Sequence, residues 1–337
     1  MKGQRHMTSN KKVLITGGGG FIGLHLANLH INLGDEITLV DNFFRGKRDD
    51  DFAKLLNHNS VKLIECDLTK QEDWDKLGGG FDYVYHLAAV NGTDLFYKVP
   101  HEVLRINLLT AIYSLEWFRQ KNSRGKIMFT SSNEAYAGAL EAFNQLPIPT
   151  PEDVPLVISD VKNPRWTYGS TKAIGEQLFI FYAQSYKLRM SIVRPHNFYG
   201  PRAGFNHVIP QFIERIVSKV DPFPIYGADD TRSFCYIQDA VEAMQLVMSS
   251  KKTDGEIYHI GTNEETIIND LAKELFSISN WSPKKIEIHK SPEGSVKRRL
   301  ADVSKIEKAV GWNAKTKLHE GLELTYDWYK PKYESKK

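Results

Sequence analysis

The sequence has few cysteines, no long apolar run and almost no net charge. Only Cys66 and Cys235 occur among 337 residues, so we expect neither a disulfide framework nor a cysteine-rich zinc site. The apolar runs are only a few residues long, far too short to cross a bilayer. The formal net charge is +3, which argues against a nucleic-acid-binding surface because such surfaces concentrate positive charge on one face.

The first residues also lack a targeting signal. Residues Met1–Asn10 are polar and contain no apolar stretch of the kind found in secretory signals. Met7 is an alternative start, in which case Met1–His6 would be a leader. Hydrophobic residues make up 41% and charged residues 25% of the chain, an ordinary globular balance. We therefore predict a cytoplasmic protein built as one large α/β unit or as two domains.

Short apolar segments alternate with helical patterns through the first half of the chain. We predict strands at Lys12–Thr16, Glu36–Val40, Val61–Cys66, Tyr83–Leu87, Lys126–Ser131 and Met190–Val193. We predict helices at Phe21–Leu33, His101–Gln120 and Ser170–Ser185. This alternation predicts an α/β fold of the Rossmann type, a doubly wound parallel sheet with helices on both faces.

The alternation breaks after Tyr136. The segment Leu146–Pro164 is rich in proline and is predicted to be a long loop, which in a compact domain is usually functional or mobile. We place the first domain at residues 11–194 together with about 233–262. A smaller, mixed α/β domain is expected from residues 195–232 and 263–332.

Glycines cluster where the first predicted strand meets the first predicted helix. Within Thr16–Gly23, glycine allows a tight turn, close approach of a diphosphate and close helix packing. The helix N-terminus adds unpaired N–H groups and a partial positive charge. Gly18, Gly20 and Gly23 fit one dinucleotide-binding spacing, and Gly17, Gly20 and Gly23 fit another. The sequence does not choose between the two spacings.

An acidic residue ends the second strand. Asp41 follows the glycine run by about 20 residues, where a carboxylate accepts hydrogen bonds from the ribose of NAD and repels the 2′-phosphate of NADP. Basic residues in Arg45–Arg48 offer an alternative partner for a phosphate, but we weigh Asp41 more heavily and predict NAD. Asp67, after the third strand, either accepts from the adenine amino group or caps the next helix, and both interpretations stay open.

Tyr168 and Lys172 are four residues apart at the start of a predicted helix, so both side chains lie on one face. A phenol ordinarily titrates near ~10. A neighbouring ammonium group and the positive nicotinamide ring favour the phenolate, so we expect a lowered pKa for Tyr168 and a general base near neutral pH. Ser132, after the fifth strand, strengthens this interpretation.

Together these pieces resemble the extended short-chain dehydrogenase/reductases, in particular the NAD-dependent nucleotide-sugar epimerase/dehydratase family. The matching stretches follow the family order over nearly the whole chain: Thr16–Gly23, Asp41–Asn42, His86–Ala89, Ser131–Tyr136, Tyr168–Lys172, Arg194–Arg202, Arg232–Asp239 and Arg299–Asp302. The resemblance implies a first domain that binds NAD and a second that binds a nucleoside-diphosphate sugar. It also implies a homodimer formed through helices, for which the predicted helices His101–Gln120 and Ser170–Ser185 are the candidates.

The resemblance also implies a set of contact residues. For NAD these are Gly17, Gly20, Phe21, Ile22, Gly23, Asp41, Asn42, Asp67, Leu68, Leu87, Ala88, Ala89, Tyr168 and Lys172. For the substrate they are Asn197, His207, Val208, Arg232 and Arg299. The histidines show no spacing typical of metal ligands, so no metal is expected.

The family mechanism assigns roles to three of these positions. Tyr168 would take the proton of the sugar 4-hydroxyl as C4 is oxidised by NAD, Ser132 would hydrogen-bond that oxygen, and Lys172 would hold the nicotinamide ribose. The 4-keto sugar then allows epimerisation, 4,6-dehydration, decarboxylation or net oxidation. We expect an epimerase or 4,6-dehydratase. The alternatives are a UDP-glucuronate decarboxylase, a net 4-dehydrogenase and, more remotely, a non-catalytic NAD(H)-binding regulator.

Two neighbouring residues bear on the choice of reaction. Glu134 stands where the family's dehydratases and uronate decarboxylases carry Glu; it would take the C5 proton or serve as a structural partner. Asn133 departs from dehydratases that place an aspartic acid there as an acid. An amide cannot take that role, since it cannot donate a proton at neutral pH.

The segment between residues 137 and 166 is longer than is usual for the family and is expected to cover the sugar site.

Overall fold

The computed structural model describes residues 10–143, 146–291 and 296–335. The proposed leader Met1–His6 lies outside these ranges. The helices and strands follow one another as β1 (Lys12–Thr16), α1 (Phe21–Asn32), β2 (Glu36–Asp41), α2 (Asp50–Leu56), β3 (Val61–Glu65), β4 (Tyr83–His86), α3 (Thr93–Lys98), α4 (Pro100–Lys121), β5 (Lys126–Thr130), α5 (Ala137–Phe143), α6 (Thr167–Tyr186), β6 (Arg189–Pro195), β7 (Phe198–Tyr199), α7 (Val208–Val217), β8 (Phe223–Tyr226), β9 (Thr231–Arg232), β10 (Cys235–Tyr236), α8 (Ile237–Ser249), β11 (Ile257–Ile260), β12 (Thr266–Ile267), α9 (Ile268–Ser279), β13 (Ile286–His289), α10 (Ser304–Val310) and α11 (Leu318–Glu334). Short 3-10 turns lie at Gln71–Leu77, Asn133–Tyr136, Pro164–Trp166 and Lys251–Thr253.

A seven-stranded sheet has the strand order β11-β6-β5-β4-β1-β2-β3. The chain moves outward from β1 to β3, then returns to β4 beside β1 and moves outward in the other direction. The neighbouring pairs from β3 to β6 are parallel. The predicted doubly wound Rossmann-type fold is therefore confirmed, and its topological switch point lies at the carboxyl ends of β1 and β4, where such sheets bind ligands.

The central strands β1, β4 and β5 are buried over most of their length, as expected for a parallel sheet that helices cover on both faces. Val13, Leu14 and Ile15 of β1 are fully buried. Lys126 opens β5 and is also fully buried. Its ammonium group donates to the carbonyl of Val247 at 2.8 Å and to the hydroxyl of Thr253 at 2.7 Å, so this buried charge keeps its hydrogen-bond partners.

The described residues form two compact units. The first comprises residues 10–138, 156–194 and 244–258, and the second residues 139–155, 195–243 and 259–335 as far as the structure describes them. Helices α7, α9 and α11 surround an apolar core in the second unit that includes Phe223, Leu275 and Tyr329. The assignment of cofactor and substrate to the two units stays a prediction.

The segment Leu146–Pro164, predicted to be a long loop and described throughout by the structure, contains no helix or strand before the 3-10 turn that begins at Pro164. Helix α5 precedes this loop, and its alanine-rich sequence favours a helix. Residues 144 and 145, between α5 and the loop, lie outside the described part of the chain.

A buried ion pair fixes the elements that carry the predicted catalytic residues. Arg194 of β6 is 2% exposed, and its Nε and Nη2 lie 2.8 and 2.7 Å from the two carboxylate oxygens of Glu176 in α6. The hydroxyl of Ser131, directly after β5, donates to the same carboxylate at 2.5 Å. Glu176 thereby ties α6 to the carboxyl ends of β5 and β6.

Glu176→Gln tests this arrangement. We expect a loss of about 3 kcal/mol or more in the free energy of unfolding, because the variant removes the carboxylate charge that pairs with the buried Arg194. In the matched control Glu102→Gln, the partner Arg105 is exposed and the loss should stay within about 0.5 kcal/mol. Urea denaturation followed by circular dichroism measures both. Equal losses in the two variants would contradict a structural role for the buried pair.

Candidate active site

The glycine loop between β1 and α1 packs against the loop after β4. Gly17 has a φ of +71°, and a Cβ there would lie 3.0 Å from the backbone nitrogen of Ala88. A Cβ on Gly23 would lie 2.6 Å from the carbonyl oxygen of Gly17, so α1 can approach the loop only through glycine. At Gly18 a Cβ would lie 2.8 Å from the Cβ of Leu39, but there the φ is not positive and the nearest neighbour is not backbone. Backbone constraints thus favour the spacing Gly17, Gly20, Gly23.

The N-terminus of α1 is open to an anion. Gly20 is the N-cap residue, without a side-chain cap, and the first turn, which begins with Phe21 and Ile22, contains no acidic residue. The N–H groups of the first turn and the positive end of the helix dipole are therefore not capped by an acidic side chain from that turn. This arrangement fits the diphosphate of a dinucleotide.

Asp41 ends β2 beside this loop. Its carboxylate accepts from the backbone N–H of Gly19 at 2.9 Å and from that of Phe43 at 2.7 Å, which fixes its orientation. Arg48 has other partners in the protein: it forms an ion pair with Glu65 and lies over the Phe43 ring. The Asp41 carboxylate is thus fixed in orientation, and the nearby Arg48 is already paired. This arrangement fits the ribose of NAD better than the 2′-phosphate of NADP.

The neighbouring predicted cofactor residues have local partners. Asn42 is exposed and accepts from the N–H of Phe44. Asp67 accepts from the N–H of Thr69 at 3.0 Å and from its hydroxyl at 2.8 Å. It does not cap the following 3-10 turn Gln71–Leu77, whose N-cap residue is Lys70, so the capping interpretation is wrong. The buried Leu68 accepts from the Trp74 indole at 3.0 Å. Contact of these residues with adenine stays a prediction.

The loop after β4 is held by β1. The hydroxyl of Thr16 lies 3.2 Å from the backbone nitrogens of both Leu87 and Ala88. Ala89 follows, half-buried. Since Ala88 also touches Gly17, the structure brings these predicted cofactor residues to the carboxyl ends of β1 and β4.

Tyr168 and Lys172 lie one turn apart in α6, and both are buried. The Lys172 ammonium lies 5.5 Å from the centre of the Tyr168 ring and donates to the carbonyl of Thr130 at 2.7 Å. The phenol ring of Tyr168 stacks on Phe96 with 5.5 Å between ring centres. Ser132 hydrogen-bonds the phenol, which favours its ionised form. The predicted triad of Ser132, Tyr168 and Lys172 thus comes together.

Burial shifts the pKa values of both Lys172 and Tyr168. It lowers the pKa of Lys172 from its ordinary value to about 7, partly opposed by Glu176. Burial and the neighbouring Glu134 raise the pKa of Tyr168 well above its ordinary value, against the effects of Ser132 and Arg45. The expected lowering of the Tyr168 pKa by Lys172 is therefore wrong for the protein alone, because desolvation outweighs nearby positive charge.

Close backbone packing brings Glu134 beside the helix that carries Tyr168 and Lys172. A Cβ on Gly169 would lie 2.6 Å from the carbonyl oxygen of Glu134, so the 3-10 turn Asn133–Tyr136 rests directly on α6. The Glu134 carboxylate lies 2.7 Å from Nη2 of Arg165. Asn133 is buried, with its side-chain oxygen 3.4 Å from the Ser132 hydroxyl.

Two arginines near Tyr168 were not among the predicted site residues. Arg165 stands three residues before Tyr168 and pairs with Glu134, and this short spacing within one motif was the available signal. Arg45 lies near enough to Tyr168 to lower its pKa. Nothing in the sequence indicated that its side chain would extend so far from Asp41.

The predicted substrate residues lie in the second unit. Asn197, with a φ of +44°, donates to the carbonyl of Ser233 at 2.9 Å. Arg232 donates to the carbonyl of Lys297 at 3.2 Å, which places it beside the strand-like segment that carries the buried Arg299. His207 precedes α7, and Val208 opens it. Their contact with a substrate stays a prediction.

Two further findings concern the described residues as a set. None of their helices combines the length and hydropathy needed to span a membrane. They also contain no group of three or more His, Cys, Asp or Glu side chains arranged to hold a metal ion.

Comparison with known proteins agrees with this geometry. The family model "NAD dependent epimerase/dehydratase family" matches residues 13–261. A UDP-N-acetyl-alpha-D-glucosaminuronate decarboxylase of Bacillus cytotoxicus is 31% identical, over 95% of this chain and 98% of the relative. The solved UDP-glucose 4-epimerase of Thermotoga maritima is 29% identical with a TM-score of 0.81, covering 95% of this chain and 99% of that one. A UDP-glucuronic acid 4-epimerase of Bacillus cereus, solved with UDP-glucuronic acid and NAD, is 25% identical with a TM-score of 0.83, covering 96% and 100%.

The fold and the site define an NAD-dependent enzyme of the Rossmann class. The chain belongs to the NAD dependent epimerase/dehydratase family. The predictions of an enzyme, of NAD as its cofactor and of nucleotide-sugar-modifying activity are confirmed at this level.

Lys172→Met tests the effect of burial on Lys172. The folded-state pKa of Lys172 is about 7 against an ordinary 10.5, so between these values the unfolded chain binds a proton that the folded chain lacks. Unfolding free energy should therefore rise with pH in this window, by a few kcal/mol from this group.

Urea titrations from pH 6.5 to 9 measure this slope. We expect Lys172→Met to flatten it, whereas the control Lys121→Met, at the exposed end of α4, should leave it unchanged. A slope equal to the wild-type slope in Lys172→Met would show that Lys172 is fully charged in the folded protein.

Proposed function

We propose that this protein decarboxylates a UDP-linked hexuronic acid through a 4-keto intermediate. The observation that carries this proposal is Arg165, whose side chain is 12% exposed and pairs with Glu134. Its Nη1 is buried and has no hydrogen-bond partner among the described residues. A buried guanidinium N–H without a partner is costly. A sugar carboxylate would satisfy it, whereas the neutral hydroxymethyl group of a hexose carries no charge to pair.

Two relatives support a uronic acid as substrate. The Bacillus cytotoxicus relative is named for the decarboxylation of a UDP-linked uronate, and the Bacillus cereus structure contains UDP-glucuronic acid. Transfer of this substrate class to the present chain rests on Arg165, because identity of 25–31% alone leaves the sugar open.

Asn133 argues against dehydration. Loss of the 6-hydroxyl requires a proton on the leaving oxygen, and an amide cannot supply it. Decarboxylation has no such requirement, because CO2 leaves without its bonding electrons and needs no acid. The residue at this position therefore suits the decarboxylase better than the dehydratase.

The first step oxidises the sugar at C4. NAD, bound at the glycine loop and Asp41, would serve as the hydride acceptor for this oxidation and as the hydride donor when the 4-keto group is reduced at the end. As a phenolate, the form that the Lys172 ammonium and the positive nicotinamide ring would favour once NAD is bound, Tyr168 would take the proton of the 4-hydroxyl, and Ser132 would hydrogen-bond the same oxygen. Lys172 lies on the same helix face and donates to the carbonyl of Thr130, which fixes its ammonium group beside the Tyr168 ring.

The second step breaks the C5–C6 bond. The carboxylate leaves as CO2, and its bonding electron pair passes through C5 to the C4 oxygen, giving an enolate. Tyr168 now carries the proton taken from the 4-hydroxyl, so its phenol can donate a hydrogen bond to this oxygen. C5 must then gain a proton, and Glu134, beside Tyr168 and oriented by Arg165, is the nearest acid–base group for this transfer.

A UDP-uronate 4-epimerase is the second candidate, favoured by the similarity to the Bacillus cereus enzyme. Epimerisation exchanges only the C4 configuration, so it keeps the carboxylate and needs no proton at C5. In that case Arg165 would hold the carboxylate, and Glu134 would serve only to orient Arg165.

We further propose a homodimer and a cytoplasmic location. The predicted dimer helices correspond to α4 and α6, and Phe181 of α6 is 58% exposed while Ile174 is 39% exposed on the same helix. Exposed large apolar side chains on a helix are typical of an interface between subunits. The cytoplasmic location rests on the composition described above.

Substrate tests separate these candidates. The protein is incubated with NAD and either UDP-glucuronic acid, UDP-N-acetylglucosaminuronic acid or UDP-glucose, and the products are read by mass spectrometry. We expect the uronates to lose the mass of CO2 and UDP-glucose to stay unchanged. A uronate product of unchanged mass with a new NMR spectrum would replace the decarboxylase by the epimerase, and loss of water from UDP-glucose would contradict both.

Arg165→Gln tests the carboxylate contact by binding alone. We expect the affinity for UDP-glucuronic acid to fall about tenfold or more while the affinity for UDP-glucose stays unchanged, because only the first ligand offers a carboxylate. Titration calorimetry measures both affinities. The exposed Arg124→Gln is the matched control. An equal fall for the two ligands would remove Arg165 from carboxylate recognition.

A further inference from the structure

Arg45 lies in a basic segment whose members have different partners. Arg48 pairs with Glu65 and lies 3.9 Å from the centre of the Phe43 ring. Among the described residues, no carboxylate forms an ion pair with Arg45, and its side chain keeps solvent access. Within the described part of the chain, the positive charge of the Arg45 guanidinium therefore has no carboxylate as its counter-charge.

The Arg45 side chain extends away from Asp41. A Cβ built on Gly92, at the start of α3, would lie 2.9 Å from Nη1 of Arg45. Gly92 has a φ of +131°, a conformation that favours glycine. The absence of a side chain at Gly92 therefore leaves the space that the guanidinium takes. Arg45 also acts on Tyr168, whose pKa it lowers.

These contacts place Arg45 along the path of the cofactor. Its backbone follows Asp41, the predicted partner of the adenosine ribose, and its guanidinium lies near Tyr168, the predicted partner of the nicotinamide half. A dinucleotide joins these two halves through its diphosphate. The N-terminus of α1, without a capping side chain or an acidic first turn, faces the same group.

We propose that Arg45 crosses the bound dinucleotide and holds its diphosphate opposite the N-terminus of α1. The planar guanidinium fork suits two phosphate oxygens at once. The diphosphate then has backbone N–H donors from the glycine loop and a cation from the loop after β2. This contact is independent of the sugar that the enzyme transforms, because NAD binding can be measured without any sugar.

Arg45→Gln tests the proposal by titration calorimetry with NAD alone. We expect the dissociation constant to rise about tenfold or more, because the variant removes one charge-assisted contact. The affinity of the wild type should also fall more steeply with added NaCl than that of Arg45→Gln. The matched control Arg48→Gln should bind NAD like the wild type, since Arg48 is already paired with Glu65.

UDP binding distinguishes the cofactor from the substrate. UDP also carries a diphosphate, and its affinity should be the same in the wild type and in Arg45→Gln. Unchanged NAD affinity in Arg45→Gln, or an equal loss in the Arg48 control, overturns the proposal, as does a loss confined to UDP. If Arg45→Gln does not fold, Arg45→Lys replaces it. Wild-type NAD affinity in Arg45→Lys would then overturn the bidentate contact.

Discussion

The site depends on the direct contact between the backbone of the 3-10 turn Asn133–Tyr136 and helix α6. This contact exists because residue 169 is glycine: a Cβ there would lie 2.6 Å from the Glu134 carbonyl oxygen. It brings the carboxyl end of β5, with Ser132 and Glu134, against the first turn of α6, which carries Tyr168. The ion pair of Glu176 with Arg194 holds the same elements together from within. Without this approach, the hydroxyl, phenol and carboxylate would not share one site.

Much of this arrangement could be predicted because it follows from the spacing of residues that lie close together in the sequence. The glycine run, the acidic end of β2 and the interval from Tyr168 to Lys172 each reflect a backbone geometry that repeats along a strand or helix. The choice between the two glycine spacings required the structure, since it depends on the contact of Gly17 with Ala88. Helix α5 lies just before the predicted loop, in a stretch for which the sequence analysis predicted neither a helix nor a strand.

The remaining features depend on burial and on the reach of long side chains, which sequence spacing does not encode. The sign of the Tyr168 pKa shift follows from desolvation, and the expectation from the nearby lysine had the opposite sign. Arg165 and Arg45 approach the same tyrosine region from different loops. Arg165 pairs with Glu134, but its buried Nη1 has no hydrogen-bond partner among the described residues, which suits the proposed sugar carboxylate. Arg45 suits the proposed diphosphate.

The most direct measurement of the central claim is the reaction of UDP-glucuronic acid in D2O, followed by NMR and mass spectrometry of the product. Decarboxylation through a 4-keto intermediate replaces the lost carboxylate by one solvent hydrogen at C5. We therefore predict a UDP-pentose that carries a single deuterium at C5. A hexuronate product without deuterium at C5, or no product, would contradict decarboxylation at this site.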